Sequence, residues 1–327
     1  MSLTSADVAD RAEAVTPRLR DHLPVTPLVR FDAFSEELGA EVLVKCEYQQ
    51  RTGSFKARGS LAKAMTLTRT RRQRGVVTAS TGNHGLGVTN ALQAIGGHAV
   101  VFVPDNASTA KVAALRRQGA EIHTLDADPG VVERHARAYA GERGLVYLPP
   151  YNDPDVIAGQ GTVGVELMEQ LDGRPVDAVF VTVGGGGLIS GVGSVVKHRL
   201  PGTRVYGASP ANDAAMLASV RAGRVVEVPT SPTVSDGSAG NIEDGTVTVD
   251  LCADVVDTWV TVTEPEIGSA LATVIDTEHQ LVEGAAAVAF AAARARRADF
   301  TGGRIVVVAC GANIAAVTLA AALAIAR

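Results

Sequence analysis

Lys56 is the first residue whose type suggests chemistry in this chain. Only five of the 30 basic residues are lysines, and this one directly follows Gly-Ser-Phe in TGSFKARGS, residues 52–60. A guanidinium stays protonated in proteins, whereas an ammonium can lose its proton and become a nucleophile. The choice of lysine at this position is consistent with a nucleophilic amine, although most lysines are solvated surface charges.

A run of glycines is the second candidate. GGGGLISG, residues 184–191, follows the apolar run VDAVFVTV and begins a segment with a helical pattern. Backbone N–H groups at a helix N-terminus converge on an anion, and glycines leave them uncovered, so the run predicts a phosphate site. A flexible turn is the alternative interpretation. The loop does not match G-x-G-x-x-G, and the chain contains no G-x-x-x-x-G-K-[ST], which weakens a nucleotide-binding interpretation.

A third polar cluster, STGNHG at residues 80–85, follows the apolar run VVTA. Hydroxyls, an amide and peptide N–H groups at the carboxyl end of a strand can bind a carboxylate, and ligands of open α/β sheets bind at such ends. A Ser-Thr pair that caps a helix explains the segment about as well. His84 alone is more typical of a satisfied polar residue than of a catalyst.

The three features together specify a chemistry that none of them specifies alone. A reactive amine, a phosphate site and a carboxylate site are what a pyridoxal phosphate enzyme acting on amino acids requires. In that interpretation Lys56 forms the Schiff base, the glycines of residues 184–187 hold the phosphate, and residues 80–84 orient the substrate.

The elements that must position these residues alternate along the chain. Short apolar, β-branched runs are separated by segments of helical length, which predicts parallel sheets with crossover helices. The predicted strands are Glu41–Lys45, Val76–Thr78, His98–Val103, Glu121–Leu125, Val179–Val183, Arg204–Ala208 and Ile305–Ala309. A turn-rich stretch, residues 147–161, is the candidate crossing between two such regions.

Composition and charge argue against nucleic acid and membrane partners. The net charge is −5 and aromatic residues make up 4 %, so neither a basic groove nor a base-stacking surface is predicted. Residues 305–326 carry no charge, but Cys310-Gly-Ala-Asn313 interrupts them. A buried strand, a turn and a helix fit this stretch better than a membrane span does.

The cysteines and the N-terminus indicate a cytoplasmic protein. Cys46, Cys252 and Cys310 lie far apart, in an odd number and in no metal-ligand spacing, which suits a reducing compartment. The first 15 residues lack the apolar core of a signal peptide. We therefore expect neither a disulfide framework nor export.

Four motifs in this order resemble a known family: SFKARG, ASTGNHG, VGGGGLISG and VVVACGAN. They are similar to those of the fold-type II pyridoxal phosphate enzymes, within the group of serine/threonine dehydratases (threonine ammonia-lyases) and serine racemases. The resemblance implies a two-domain, tryptophan synthase beta-like α/β fold with open, mostly parallel sheets flanked by helices. Residues 1–75 and 152–327 would form the large cofactor domain and residues 76–151 a small inserted substrate-side domain, in a homodimer.

The resemblance also implies a role for each matching residue. Lys56 would carry the cofactor and take the substrate Cα proton, with Phe55 near the ring and Cys310 beside the pyridine nitrogen. Asn83 would bind the cofactor's 3-hydroxyl oxygen and contact the substrate. Ser80, Thr81, Gly82 and His84 would line the substrate carboxylate, Asn152 would lie near the substrate side chain, and the 5′-phosphate would bind at Gly184, Gly185, Gly186, Gly187 and Leu188.

The activity that this resemblance implies is β-elimination from L-threonine or L-serine, which releases a 2-oxo acid and ammonia. A serine racemase is the main alternative, because Thr81 carries a hydroxyl where plain dehydratases commonly have Ala. A dehydratase of 3-hydroxyaspartate or phenylserine is the other, because side-chain pocket residues, for which the loop at residues 236–241 is the candidate, would set the substrate preference. A β-replacement enzyme and a non-catalytic effector-binding module are weaker alternatives.

Two departures from the family pattern bear on regulation. The stretch that matches the divalent-cation site of some members is Gly207-Ala-Ser-Pro210, followed by Ala214 and Ala215, so the carboxylate ligands are missing and we expect no metal. No regulatory domain follows Arg327 in this sequence, so feedback control by isoleucine is not expected.

Overall fold

A computed structural model describes residues 3–326, and its ten strands form two sheets among those residues. Each apolar run that the sequence predicts as a strand forms one. Three further strands, Leu28–Arg30, Val146–Tyr147 and Thr258–Val262, are added to them. The strands are β1 (Leu28–Arg30), β2 (Glu41–Lys45), β3 (Val76–Ala79), β4 (Ala99–Pro104), β5 (Glu121–Leu125), β6 (Val146–Tyr147), β7 (Ala178–Thr182), β8 (Arg204–Pro210), β9 (Thr258–Val262) and β10 (Arg304–Val308).

The helices fill the intervals between these strands, and local sequence sets several of their ends. At Thr263, for example, the backbone N–H donates to the Glu266 carboxylate at 2.7 Å, forming the capping box that the sequence TEPE predicts. The helices are α1 (Ser5–Arg20), α2 (Asp32–Leu38), α3 (Lys56–Thr66), α4 (Arg69–Arg74), α5 (Asn83–Ala94), α6 (Thr109–Arg117), α7 (Pro129–Glu142), α8 (Pro154–Leu171), α9 (Gly187–Arg199), α10 (Ala215–Ala222), α11 (Thr248–Val255), α12 (Glu264–Glu278), α13 (Gly284–Ala295) and α14 (Ala316–Ile325).

The larger sheet has six strands in the order β1-β2-β10-β7-β8-β9. Only β1 is antiparallel to its neighbour, and the other pairs are parallel. The carboxyl ends of β2, β10 and β7 therefore meet at one edge, where ligands of open α/β sheets bind. This edge brings the segment before Lys56, the residues after β10 and the glycine loop after β7 together.

The smaller sheet has four parallel strands in the order β5-β4-β3-β6. Its central strand β3 ends at Ala79, directly before Ser80. We propose that residues 76–151 form the small inserted domain, because all four strands of this sheet lie within that range. A cavity of about 1300 Å³ has lining residues from both sheet regions, including Ser80 and Asp236.

Small side chains let helices approach the larger sheet closely. The Ala-rich α13 is buried from Gly284 to Ala293 and packs against β7, β8, β9 and β10. The ring centroid of its buried Phe290 lies 5.0 Å from that of the buried Phe34 on α2. The uncharged stretch at residues 305–326 forms β10, a turn and α14, as the sequence predicts. Among residues 3–326 no helix has both the length and the apolar character that a bilayer crossing requires.

Candidate active site

Lys56 is the first residue of α3, and two glycine contacts fix the position of that helix. A Cβ on Gly159 of α8 would lie 2.6 Å from the Cα of Gly59, so the two helices cross with their backbones in contact. A Cβ on Gly87 of α5 would lie 2.9 Å from the carbonyl oxygen of Lys56 itself. Since real Cβ atoms do not approach so closely, these glycines are required by packing. They set the start of α3 against both α5 and α8.

The Lys56 side chain is part-buried, and its amine faces the cavity. Its Nζ donates a hydrogen bond to the carbonyl oxygen of Pro150 at 2.9 Å and lies 5.2 Å from the centre of the Phe55 ring. Burial lowers the pKa of Lys56 to about 8, against the opposing influence of Cys310 and Glu283. The neutral, nucleophilic amine is therefore accessible near physiological pH.

A smaller cavity of about 60 Å³ lies next to the amine, between α3 and the glycine loop. All nine residues that the sequence assigns to a cofactor line it. They are Phe55, Lys56, Asn83, Gly184, Gly185, Gly186, Gly187, Leu188 and Cys310. The structure thus brings together residues that are far apart in the chain.

The glycine loop has the features of an anion site. Gly186 has φ +82°, a left-handed conformation that favours glycine, and it directly precedes the first turn of α9. The backbone N–H groups of Gly187 and Leu188 have no partner within that helix. A Cβ on Gly184 would lie 2.6 Å from the Ser238 carbonyl oxygen, and a Cβ on Gly185 would overlap the Tyr151 ring. The loop therefore fits a phosphate, because its backbone is uncovered and its packing excludes larger residues.

Cys310 supplies the polar group on a different wall of the smaller cavity. The residue is 3 % exposed, and its carbonyl oxygen accepts a hydrogen bond from the Phe55 N–H at 3.1 Å. Burial raises the pKa of the Cys310 thiol well above its ordinary value, so the thiol is neutral. A neutral thiol at this wall does not hold a heterocyclic nitrogen protonated, as a carboxylate would.

The residues of STGNHG line the larger cavity and lead into the N-terminus of α5. Ser80, Thr81, Gly82, Asn83 and His84 all face it. The Ser80 hydroxyl accepts a hydrogen bond from the Gly82 N–H at 3.1 Å, which stabilises the turn. The N–H groups of Asn83 and His84 are in the first turn of α5 and lack intrahelical partners. A substrate carboxylate fits this positive end of the helix.

The imidazole of His84 is a poor donor to a carboxylate. Its Nε2 lies 3.0 Å from the carbonyl oxygen of Leu148, and since a carbonyl oxygen only accepts, Nε2 carries the hydrogen. Burial and the charge of Lys56 lower the pKa of His84 to about 3, so the ring is neutral and Nδ1 is an acceptor. A carboxylate contact at His84 would therefore use its backbone N–H.

Asn152 is the one predicted site residue that the structure places outside both cavity linings. Its Oδ1 accepts a hydrogen bond from the Val247 N–H at 3.1 Å, which anchors the start of α11. The expected contact with a substrate side chain has no support from this arrangement. Within residues 3–326, no group of three or more His, Cys, Asp or Glu side chains could hold a metal ion.

Sequence reasoning missed Glu283, which lines both cavities. It is the N-cap residue of α13 and is 3 % exposed. Asn83 Nδ2 donates to both of its carboxylate oxygens, at 2.8 and 3.0 Å. An acidic residue directly before a buried Ala-rich helix is the only signal in the sequence, and many N-cap residues share it.

Sequence reasoning also missed a buried ionic cluster behind α3. The Arg58 guanidinium contacts Glu47 at 2.7 Å and Glu166 at 2.6 Å, and Lys45 contacts Glu166 at 2.7 Å. All four side chains are at most 3 % exposed. The two cations and two anions are mutually neutralised, and they join β2 and α8 to the helix that carries Lys56.

Comparison with known proteins places this site in a family. The family model described as "Pyridoxal-phosphate dependent enzyme" matches residues 19–311. An L-threonine ammonia-lyase of Geobacter sulfurreducens is 37 % identical over 91 % of this chain and 73 % of its own length. A serine racemase of Schizosaccharomyces pombe is 34 % identical, with coverage of 95 % and 94 %.

A solved structure shows the same fold over nearly the whole chain. The processed form of threonine deaminase isoform 2 from Solanum lycopersicum superposes with a TM-score of 0.93 and 33 % identity, covering 98 % of this chain and 88 % of that one. The cavity-facing Lys56 amine, the glycine loop and the neutral Cys310 fit the cofactor that the family is named for. The chain belongs to the pyridoxal-phosphate dependent enzymes, of fold type II.

Proposed function

We propose that this enzyme dehydrates and deaminates a β-hydroxy amino acid, with L-threonine and L-serine as the substrates, to a 2-oxo acid and ammonia. The observation that carries the proposal is the position of the Lys56 amine. It lies between a glycine loop suited to phosphate and a helix N-terminus suited to a carboxylate. The relatives named L-threonine ammonia-lyase support the choice of substrate.

Pyridoxal phosphate, when bound, supplies an electron-withdrawing ring that weakens the bonds to the substrate Cα. We propose that Gly184 to Leu188 hold its phosphate, Lys56 holds its aldehyde carbon, Asn83 its 3-hydroxyl oxygen and Cys310 its ring nitrogen. The neutral Cys310 thiol leaves that nitrogen unprotonated. This favours elimination, in which negative charge departs with the β-substituent.

Lys56 moves the proton in this proposal. Its Nζ must be neutral to accept the substrate Cα proton, and burial makes that form accessible by lowering the pKa to about 8. The Pro150 carbonyl, 2.9 Å from Nζ, accepts one hydrogen bond and so orients the amine. Because a carbonyl oxygen only accepts, this hydrogen bond uses an N–H of the amine and leaves the nitrogen lone pair free to take the proton.

The N-terminus of α5 orients the substrate in this proposal. The free N–H groups of Asn83 and His84 and the hydroxyls of Ser80 and Thr81 receive the carboxylate. A carboxylate held at this helix end fixes one substituent of the substrate Cα. The position of the substrate amino group then determines which of the remaining Cα bonds faces Lys56.

The direct test is an assay of 2-oxo acid release from L-threonine, L-serine, their D-enantiomers, threo-3-hydroxyaspartate and phenylserine. The configuration of the remaining substrate is determined in the same samples. We expect a 2-oxo acid from L-threonine or L-serine, and none with Lys56→Ala. Failure with both L-substrates, together with inversion at Cα, would assign the protein to the racemases instead.

We also propose that the enzyme is a cytoplasmic homodimer. The apolar helix α14 leaves Val317 78 % and Ile325 41 % exposed, so it offers a surface for a second copy. The free thiols of Cys46, Cys252 and Cys310 suit a reducing compartment. Sedimentation equilibrium tests the dimer. We expect a dimeric wild type and a Val317→Glu variant that is shifted toward monomer. A wild type that is monomeric at micromolar concentration would contradict the proposal.

A further inference from the structure

Glu283 lies at the end of a hydrogen-bonded chain that fixes the orientation of the Asn83 amide. The chain starts at the carbonyl oxygen of Thr52, which accepts from Asn313 Nδ2 at 2.7 Å. Because a carbonyl oxygen cannot donate, this contact determines which end of the Asn313 amide is the NH₂ group. The orientation of Asn313 is thereby set by backbone.

The same Asn313 amide determines the orientation of Asn83. Its Nδ2 also donates to Asn83 Oδ1 at 2.6 Å, so the opposite end of the Asn83 amide is the donor. That donor, Nδ2, contacts both carboxylate oxygens of Glu283, and the Asn313 backbone N–H donates to Glu283 Oε2 at 3.1 Å. The carboxylate thus accepts from two different residues, and an amide flip at Asn83 would place its oxygen against a carboxylate.

Packing holds the Glu283 carboxylate in place. A Cβ on Gly311 would lie 2.5 Å from Glu283 Oε1, so the glycine of the CGAN motif leaves room for the carboxylate. The Glu283 N–H donates to the Gly311 carbonyl oxygen at 2.9 Å, which ties the start of α13 to the turn after β10. The carboxylate is therefore held in a fixed position in the cavity wall.

We propose that Glu283 is a positioning residue, which holds the Asn83 amide N–H toward the 3-hydroxyl oxygen of the cofactor through the chain Thr52–Asn313–Asn83–Glu283. The proposal rests on the cofactor role given to Asn83 in the proposed function. Asn83 Nδ2 has two hydrogens: one is shared between the two carboxylate oxygens of Glu283, and the other remains for the cofactor. Only an ionised Glu283 accepts from all of its donors, because a proton on either oxygen takes up acceptor capacity.

The ionisation of Glu283 falls within the working range of the enzyme. Burial, with a smaller contribution from the charge of Asp236, raises the pKa of Glu283 to about 7, against the opposing effect of the N–H groups of Asn83 and Asn313 and the charge of Lys111. The carboxylate is ionised above that pH and protonated below it. The charged or titratable groups that face it are Lys56 at the start of α3, Lys111 on α6, Asp236 in the segment between α10 and α11, and Cys310 after β10.

The test uses holoenzyme and the absorption spectrum of its bound cofactor between pH 6 and 9. We expect a spectral change in wild type with a midpoint near the pKa of Glu283, about 7, and its loss in Glu283→Gln. Asp236→Asn is the matched control, because Asp236 lines the same cavity without contacting Asn83. It should keep the spectral change and move its midpoint to lower pH.

The affinity for pyridoxal phosphate provides the second measurement. We expect Glu283→Gln and Asn313→Ala each to weaken it about tenfold, the effect of one lost hydrogen bond to a charged group. The double variant should lose little more than either single variant, because both interrupt one chain. Single-variant losses that multiply in the double variant would contradict the chain.

The outcomes separate this proposal from the proposed function. If the enzyme deaminates L-threonine but Glu283→Gln keeps the wild-type spectrum, midpoint and affinity, the positioning role is wrong and the function stands. If no amino acid is deaminated but the holoenzyme shows the midpoint and Glu283→Gln loses it, the proposed function is wrong and the positioning role stands.

Discussion

Replacing Lys56 by methionine should stabilise the cofactor-free protein while abolishing its activity. The buried amine has a pKa of about 8 in the folded protein and 10.5 as its ordinary value. The difference of about 2.5 pH units, at about 1.36 kcal/mol each, is a penalty of up to about 3.4 kcal/mol for burying the charged form. Methionine fills a similar volume and carries no charge, so it removes this penalty.

The pH dependence is the distinctive part of this prediction. Because the folded-state pKa is the lower one, the unfolded protein binds more protons between about pH 8 and 10.5, and the wild type gains stability as pH rises through that window. Removing the penalty should therefore favour Lys56→Met by about 3 kcal/mol at pH 7 and about 1.4 kcal/mol at pH 9.5. The lost hydrogen bond to Pro150 costs about 1 kcal/mol at either pH, so the expected net advantage is about 2 kcal/mol at pH 7 and about 0.4 kcal/mol at pH 9.5.

Urea titration of cofactor-free wild type and variant at both pH values measures the two differences. Lys197→Met is the control, because the Lys197 amine lies in a surface ion pair with Asp257 rather than in the cavity. It should not reproduce a stabilisation that declines with pH. An advantage of Lys56→Met that is the same at pH 7 and 9.5 would refute the reasoning that the amine is buried in its charged form.

Three further predictions concern the surroundings of the site. Arg58→Met should lower the free energy of unfolding by about 3–5 kcal/mol, because it leaves two buried carboxylates with one cation, and the exposed Arg18→Met should lower it by less than about 1 kcal/mol. Equal losses in the two variants would show that the buried ionic cluster contributes no more to the free energy of unfolding than an exposed arginine does. Gly185→Ala should weaken pyridoxal phosphate binding at least about tenfold by displacing Tyr151, whereas Gly202→Ala, with open space around the added carbon, should leave it unchanged. Unaltered affinity in both would contradict a role for the loop. EDTA should leave deamination intact, since Ser209, which precedes Pro210, and Ala214 and Ala215 offer no carboxylate; loss of activity that Mg²⁺ restores would overturn this.

The sheets and the cofactor loop could be predicted from the sequence because their signals are local. Seven apolar runs form strands, and the glycines at 184–187 occupy a strand-to-helix junction where few other functions need four glycines in a row. The domain boundary at residues 76–151 stays a proposal. Strand β6 has two residues, too few to show any periodicity in the sequence.

The missed residues share a different property: their function depends on contacts between distant segments. Glu283 lies 200 residues after Asn83, and Arg58 lies 108 residues before Glu166. Neither spacing nor residue type indicates such pairs in a single sequence. His84 shows a different limit: the family resemblance assigned it to the substrate carboxylate, and only the Leu148 carbonyl reveals that its Nε2 is already engaged.

The most direct test of the central claim is to locate the cofactor on the chain. Holoenzyme is reduced with borohydride, digested and analysed by mass spectrometry for the added pyridoxyl phosphate. The account predicts the added mass on the peptide that contains Lys56, and on none of the peptides with Lys45, Lys63, Lys111 or Lys197. A yellow protein that carries the mass on another lysine, or a colourless one that carries none, would contradict it.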